Sequence, residues 1–113
     1  MADRTPNLNR RMVLEARRTS LDETGSSVTE WDPLGMVFVA LLRGSGRLAQ
    51  AGGREVPLNK ARILQRAVSE GTASRPWPGH RYRSGSRTYA ILAVGDWDPE
   101  GRYLQVQVEE GRV

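Results

Sequence analysis

Near the end of the chain, Leu104, Val106 and Val108 alternate with Gln105, Gln107 and Glu109. That period of two is the mark of a strand with one face buried, here read as an edge strand. Residues Arg81–Val94 predict the strand before it, with Tyr89, Ile91 and Ala93 on one face and Ala90, Leu92 and Val94 on the other. Gly95–Gly101 (GDWDPEG) supplies the turn between them.

The same pattern extends upstream. Leu8–Ala16 predicts a first strand with Met12 and Leu14 on one face. Thr19–Ser27 is turn chemistry with Gly25 available for a positive φ, and Val28–Trp31 returns as a short strand ended by Asp32-Pro33. Met36–Leu42 is an unbroken apolar run between Gly35 and Gly44, too short for a helix and expected as a strand buried on both sides. Gly44–Gly53 (GSGRLAQAGG) reads as a long flexible loop continuing to Lys60. Residues 55–68 fit two patterns. Leu58, Ala61, Leu64 and Val68 form a helical stripe with Pro57 at its start, whereas Ala61, Ile63 and Gln65 form one face of a strand. The surrounding β pattern favours a strand over Lys60–Val68. Glu70–Gly79 is an extended connection with Trp77 between two prolines. The expectation is an all-β domain over residues 8–113, a small barrel or sandwich of about six mainly antiparallel strands with one long flexible loop (residues 44–60), behind a loose tail at residues 1–7.

Composition narrows the function. The 113 residues suit one domain with a thin core. Basic residues number 17, all arginine except Lys60, yet 13 acids hold the net charge to +4. That is too little for a dedicated duplex-DNA binder, although it leaves room for a surface that merely tolerates passing DNA. With no cysteine and His80 as the one histidine, no disulfide, cysteine-ligated metal or multi-histidine site is expected. No cofactor is expected either. There is no 18-residue apolar run and no apolar signal core after Met1, so a soluble chain made in the cytoplasm is expected, with no membrane partner.

The candidate chemistry is thin. His80 has no nucleophile or orienting partner in the sequence to make it a base. Asp96, Asp98 and Glu100 alternate as calcium ligands sometimes do, but the spacing of a calcium loop is missing and a plain turn fits better. Gly44-Ser45-Gly46-Arg47 lacks the lysine-serine ending of a phosphate loop. Arg81, Arg83 and Arg87 interleave with Tyr82 and Tyr89 as on a single-strand nucleic-acid platform of the OB type, which stands as the alternative function. Trp31, Trp77 and Trp97 lie in or beside turns, as core lids or as interface anchors. No enzyme is expected.

Four blocks then carry a resemblance: Leu8-Asn-Arg-Arg-Met-Val-Leu14 with Asp22-Glu-Thr-Gly25; Val28-Thr-Glu-Trp31; Met36–Leu42 with Gly44-Ser-Gly46; and Arg81–Ile91 with Asp98–Leu104 and Glu109-Glu110. In this order and spacing the chain resembles the head–tail joining (head-closure, stopper or adaptor) proteins of long-tailed bacteriophages and phage-derived gene transfer agents. Gln65-Arg66-Ala67 departs from the arginine-tyrosine pair common at that point of the family. The resemblance implies a structural protein of the particle. Copies would form a cyclic ring, a hexamer or dodecamer, below the portal, closing the DNA-filled head and joining the tail. Its partners would be itself, the portal-side adaptor, the tail-side terminator, and double-stranded DNA passing without sequence specificity. The candidate channel loop is Gly44, Ser45, Gly46, Arg47, Gln50, Gly52, Gly53 and Arg54. The candidate interface residues are Trp31, Trp77, Arg81, Arg83 and Trp97.

Overall fold

The computed structural model describes residues 5–43, 48–51, 54–57 and 59–112. Its strands are β1 (Arg10–Leu21), β2 (Ser27–Arg43), β3 (Leu48–Ala51), β4 (Arg54–Pro57), β5 (Lys60–Arg66), β6 (Arg81–Ser84), β7 (Arg87–Asp96) and β8 (Tyr103–Arg112). Six of them close into a barrel in the order β1-β2-β5-β8-β7-β6, with β6 pairing back onto β1, and every pairing is antiparallel. The fold is all-β, with no helix among the described residues.

Alternation drives the closure. Register sets Ala61 against Val108, Ile63 against Val106, Leu14 against Tyr82 and Tyr82 against Tyr89. These side chains, with Met12, Val39, Ile91 and Leu104, fill the interior as one apolar cluster. Residues 60–66 form the expected strand. Gln65 takes an inward position and stays satisfied there, accepting from Tyr82 and donating to the Ser74 carbonyl.

Several local expectations are corrected. Strand β2 does not end at Asp32-Pro33; it runs unbroken for 17 residues. Proline is tolerated in sheets at free edges and bulges, and both conditions hold here. β2 meets β5 only from Val39 onward. Register also jumps between Leu14↔Gly35 and Glu15↔Pro33, leaving Leu34 as an extra residue, with Gly35 at φ +146°. Trp31 is accordingly a mid-strand residue, not a turn residue. The Met36–Leu42 run is not buried on both sides. Val39 and Ala40 are buried, but Met36 and Phe38 are 59% and 55% exposed, with no covering element on their outward face among the described residues.

Arg81–Val94 is two strands, not one. Gly85 at φ +63° turns the chain between Ser84 and Arg87, which pair. Within β7, register passes from Ile91↔Val108 to Ala93↔Gln107, so Leu92 is a bulge residue and Val94, not Ala93, faces inward opposite Val106. β8 is no edge, since it pairs with β5 on one side and β7 on the other. Finally, β3 and β4 form a two-stranded ribbon of their own inside the segment expected as a loop. Leu48–Ala51 lies antiparallel to Arg54–Pro57, four residues against four.

Candidate assembly surfaces

The outer wall beside β1 is held by one carboxylate. Glu15 is buried, and its Oε1 accepts from Arg81 Nε at 2.7 Å while its Oε2 accepts from Arg83 Nε at 3.0 Å. Burial alone would raise its pKa, but the two arginine hydrogen bonds outweigh that and hold it below the ordinary glutamate value. The Arg81 guanidinium also lies 4.0 Å from the centroid of the Trp31 ring. Three sequence-predicted interface residues, Trp31, Arg81 and Arg83, are thus brought together, and the partner joining them is one that sequence reasoning missed. The signal was present: Glu15 is the one acid inside the apolar stretch from Met12 to Ala16.

Trp97 sits elsewhere, edge-on to Tyr103 with centroids 5.8 Å apart. Beside it, Asp98 organises the β7–β8 turn. It accepts from the Arg102 and Tyr103 amides at 2.8 and 3.1 Å and from Arg102 Nε at 2.8 Å. Desolvation pulls its pKa up, and these bonds hold it below the usual aspartate value. Asp96 and Glu100 do not converge on it as ligands; no group of three candidate metal-binding side chains occurs among the described residues. His80 lies where the chain approaches β7, its carbonyl accepting from the Ile91 amide. Desolvation lowers its pKa, and its buried Nδ1 has no hydrogen-bond partner.

A stacking platform would need exposed aromatics. Tyr82 and Tyr89 are instead fully buried in the barrel interior, where desolvation pushes the Tyr82 phenol far above its ordinary value. Of the three tryptophans, Trp77 is the one with an open face, 49% exposed. In the ribbon, Gln50 stands opposite Glu55 and Arg54 opposite Ala51. The other six candidate channel residues (Gly44, Ser45, Gly46, Arg47, Gly52 and Gly53) lie outside the described residues.

The remaining surface is shaped by apolar side chains left outside. Besides Met36 and Phe38, Leu21 at the end of β1 is 71% exposed and Leu92 at the β7 bulge is 43% exposed. Leu92 lines a cleft of about 200 Å3 together with Leu42, Lys60 and Arg62. Small-molecule sites usually run from about 300 to 1,000 Å3, so this cleft suits a side chain rather than a metabolite.

The barrel thus has charges that hold its own wall and apolar side chains turned outward. The model of the phage head completion protein family matches residues 4–111, and the chain belongs to that family. A chain in the structure of the virion of a native gene transfer agent particle superposes with a TM-score of 0.76 at 34% identity, covering 96% of this chain and 100% of that one. The solution structure of protein SF1141 from Shigella flexneri 2a shares the fold, with a TM-score of 0.63 at 15% identity over 92% of this chain and 93% of that one. No curated protein matches the sequence.

Proposed function

We propose that this protein is a structural connector of a phage or gene transfer agent particle. Copies assemble as a ring below the portal, close the DNA-filled head and receive the tail, without catalysis. One observation carries the reading: the chain is similar along its whole length to a component of a gene transfer agent virion, within a family of head completion proteins. The wall supports it, since a protein that works by assembly needs a rigid barrel and outward apolar anchors rather than a reactive cluster.

In this reading the ribbon β3–β4 reaches toward the central channel, because it stands apart from the barrel sheet and is tied to it at Arg43 and Lys60. An isolated two-stranded ribbon is marginal by itself, so neighbouring ribbons or DNA would fix its position. The test is deletion of residues 46–53. The barrel should keep its unfolding midpoint, while particles lose packaged DNA or fail to acquire tails. Particles of normal yield, DNA content and transfer activity would overturn the channel role. Purified necks holding this chain as a single copy would overturn the ring.

A further inference from the structure

The strand β2 carries two complementary surfaces at its opposite ends. At its start, the hairpin joining it to β1 extends beyond the barrel: β1 pairs with β6 only at Val13–Glu15, while its pairing with β2 continues to Leu21↔Ser27. The tip of this arm presents Leu21 beside the exposed acid Glu23. Its turn is preorganised. Asp22 Oδ1 accepts from the Thr24 hydroxyl at 2.7 Å and from the Thr24 and Ser26 amides, each at 2.9 Å, and Gly25 takes φ +85°. Arginine lies farther down the arm, where Arg18 is already held by Glu30 and Asp32.

At the other end of β2 lies the cleft, lined by the apolar Leu42, Leu92, Ala61 and Val108 and by the cations Lys60 and Arg62. Among the described residues no ion pair engages Lys60 or Arg62; Arg62 donates to Gln105, and Arg43, also in the lining, is taken by Glu110. Glu109 stands across from Lys60 in register without an ion pair forming between them. An exposed leucine with an acid therefore matches an apolar cleft with two available cations.

The two ends cannot meet within one molecule. Fifteen residues of strand separate Ser27 from Leu42, about 50 Å at ~3.3 Å per residue. We propose that the Leu21–Glu23 tip of one copy docks into the Leu42/Leu92 cleft of a second copy, and that this arm-in-cleft contact joins neighbours head-to-tail. Such heterologous contacts close into rings when the rotation fits, and the inference rests on the ring reading above. The cleft is bounded by Arg43 and Lys60, from which the ribbon departs and to which it returns. Docking would therefore place each copy's ribbon by its neighbour. Leucine supplies burial, while Glu23 against Lys60 and Arg62 supplies orientation and a salt-sensitive association rate.

The chain has no cysteine, which makes cross-linking clean. Particles are assembled with the double variant Leu21→Cys/Leu92→Cys and oxidised, with each single variant as control. Both positions are exposed, so folding should survive. The expected result is a ladder of covalent multimers of this chain, from two copies up to a closed set, absent from both controls. Rings seen in the neck by electron microscopy without a ladder, or with a product that stops at two copies, overturn the arm-in-cleft contact and leave the ring standing. Cross-links to a different particle protein overturn the choice of occupant. A neck with no ring of this chain overturns both. In a second arm, Glu23→Lys should cut ring assembly at least tenfold, and adding Lys60→Glu with Arg62→Glu should restore it; failure of that rescue with all variants folded also counts against the contact.

Discussion

The Tyr82 hydroxyl donates a hydrogen bond of 2.6 Å to Gln65 Oε1, joining β6 to β5 across the barrel interior. These strands are not neighbours in the sheet; β1 and β2 lie between them. Gln65 Nε2 meanwhile donates to the Ser74 carbonyl at 2.9 Å, so one amide ties the barrel to the connection that follows β5. Tyr82→Phe leaves a buried carbonyl oxygen without its donor, which costs about 1–3 kcal/mol. Its effect should shrink in a Gln65→Met background, where the Tyr82 hydroxyl has already lost this acceptor. Equilibrium denaturation of the four proteins checks this, and purely additive effects would remove the coupling.

Glu15 holds two arginines and, through Arg81, the Trp31 ring. Glu15→Ala strands two cations on the wall and should cost on the order of 2 kcal/mol, as hydrogen bonds to charged groups commonly do. The surface pair of Arg18 with Glu30 is more than one-third exposed on both sides, so Glu30→Ala should cost under about 1 kcal/mol. Denaturation midpoints with unchanged slopes would show both effects. Equal losses would mean that Glu15 is no more than another surface charge.

Acid should destabilise the barrel in two stages. His80 has a folded-state pKa below 6.5, so the unfolded chain takes up a proton first. Stability from its neutral form is complete above pH 6.5 and is lost as pH falls below that value. Glu15 and Asp98 also titrate low when folded, from ordinary values of 4.5 and 3.8. Their contribution is complete above about pH 4.5 and disappears as pH drops through their folded values. His80→Gln should flatten the midpoint between pH 7.5 and 5 while leaving the lower stage intact. A variant that keeps the upper stage would show that another group causes it.

Much of the barrel was legible because alternation is a local signal. Met12/Leu14, Ala61/Ile63 and Leu104/Val106/Val108 each carry their inward face in the spacing of apolar residues alone. The barrel's count of six strands also came out right, although one expected pair merged across Pro33 and one expected strand divided at Gly85. Bulges were not legible. Leu34 and Leu92 each insert one residue, and whether a chain absorbs such a residue is decided by the partner strand's register. Exposure was equally hidden. Phe38 and Leu64 are similar in character, yet Phe38 is half exposed and Leu64 buried, because only the fold decides which apolar side chains acquire a cover. The cleft at Leu42 and Leu92 follows from that same outward placement and had no signature in the sequence.

Two glycines provide the sharpest contrast for a last prediction. Gly85 turns β6 into β7 at φ +63°, and a β-carbon built there meets nothing within 4 Å. Gly95, in β7, is equally open around its β-carbon position but has no positive φ. Space is therefore available at both, and only backbone conformation differs. Gly85→Ala forces an L-residue into the left-handed region and should cost about 1–2 kcal/mol. Gly95→Ala restricts the unfolded chain without native strain and should be neutral or stabilising by up to about 1 kcal/mol. Opposite-signed shifts in thermal midpoint are the expected result. Matching losses at both positions would mean that the positive φ at Gly85 is not what sets the cost of alanine there.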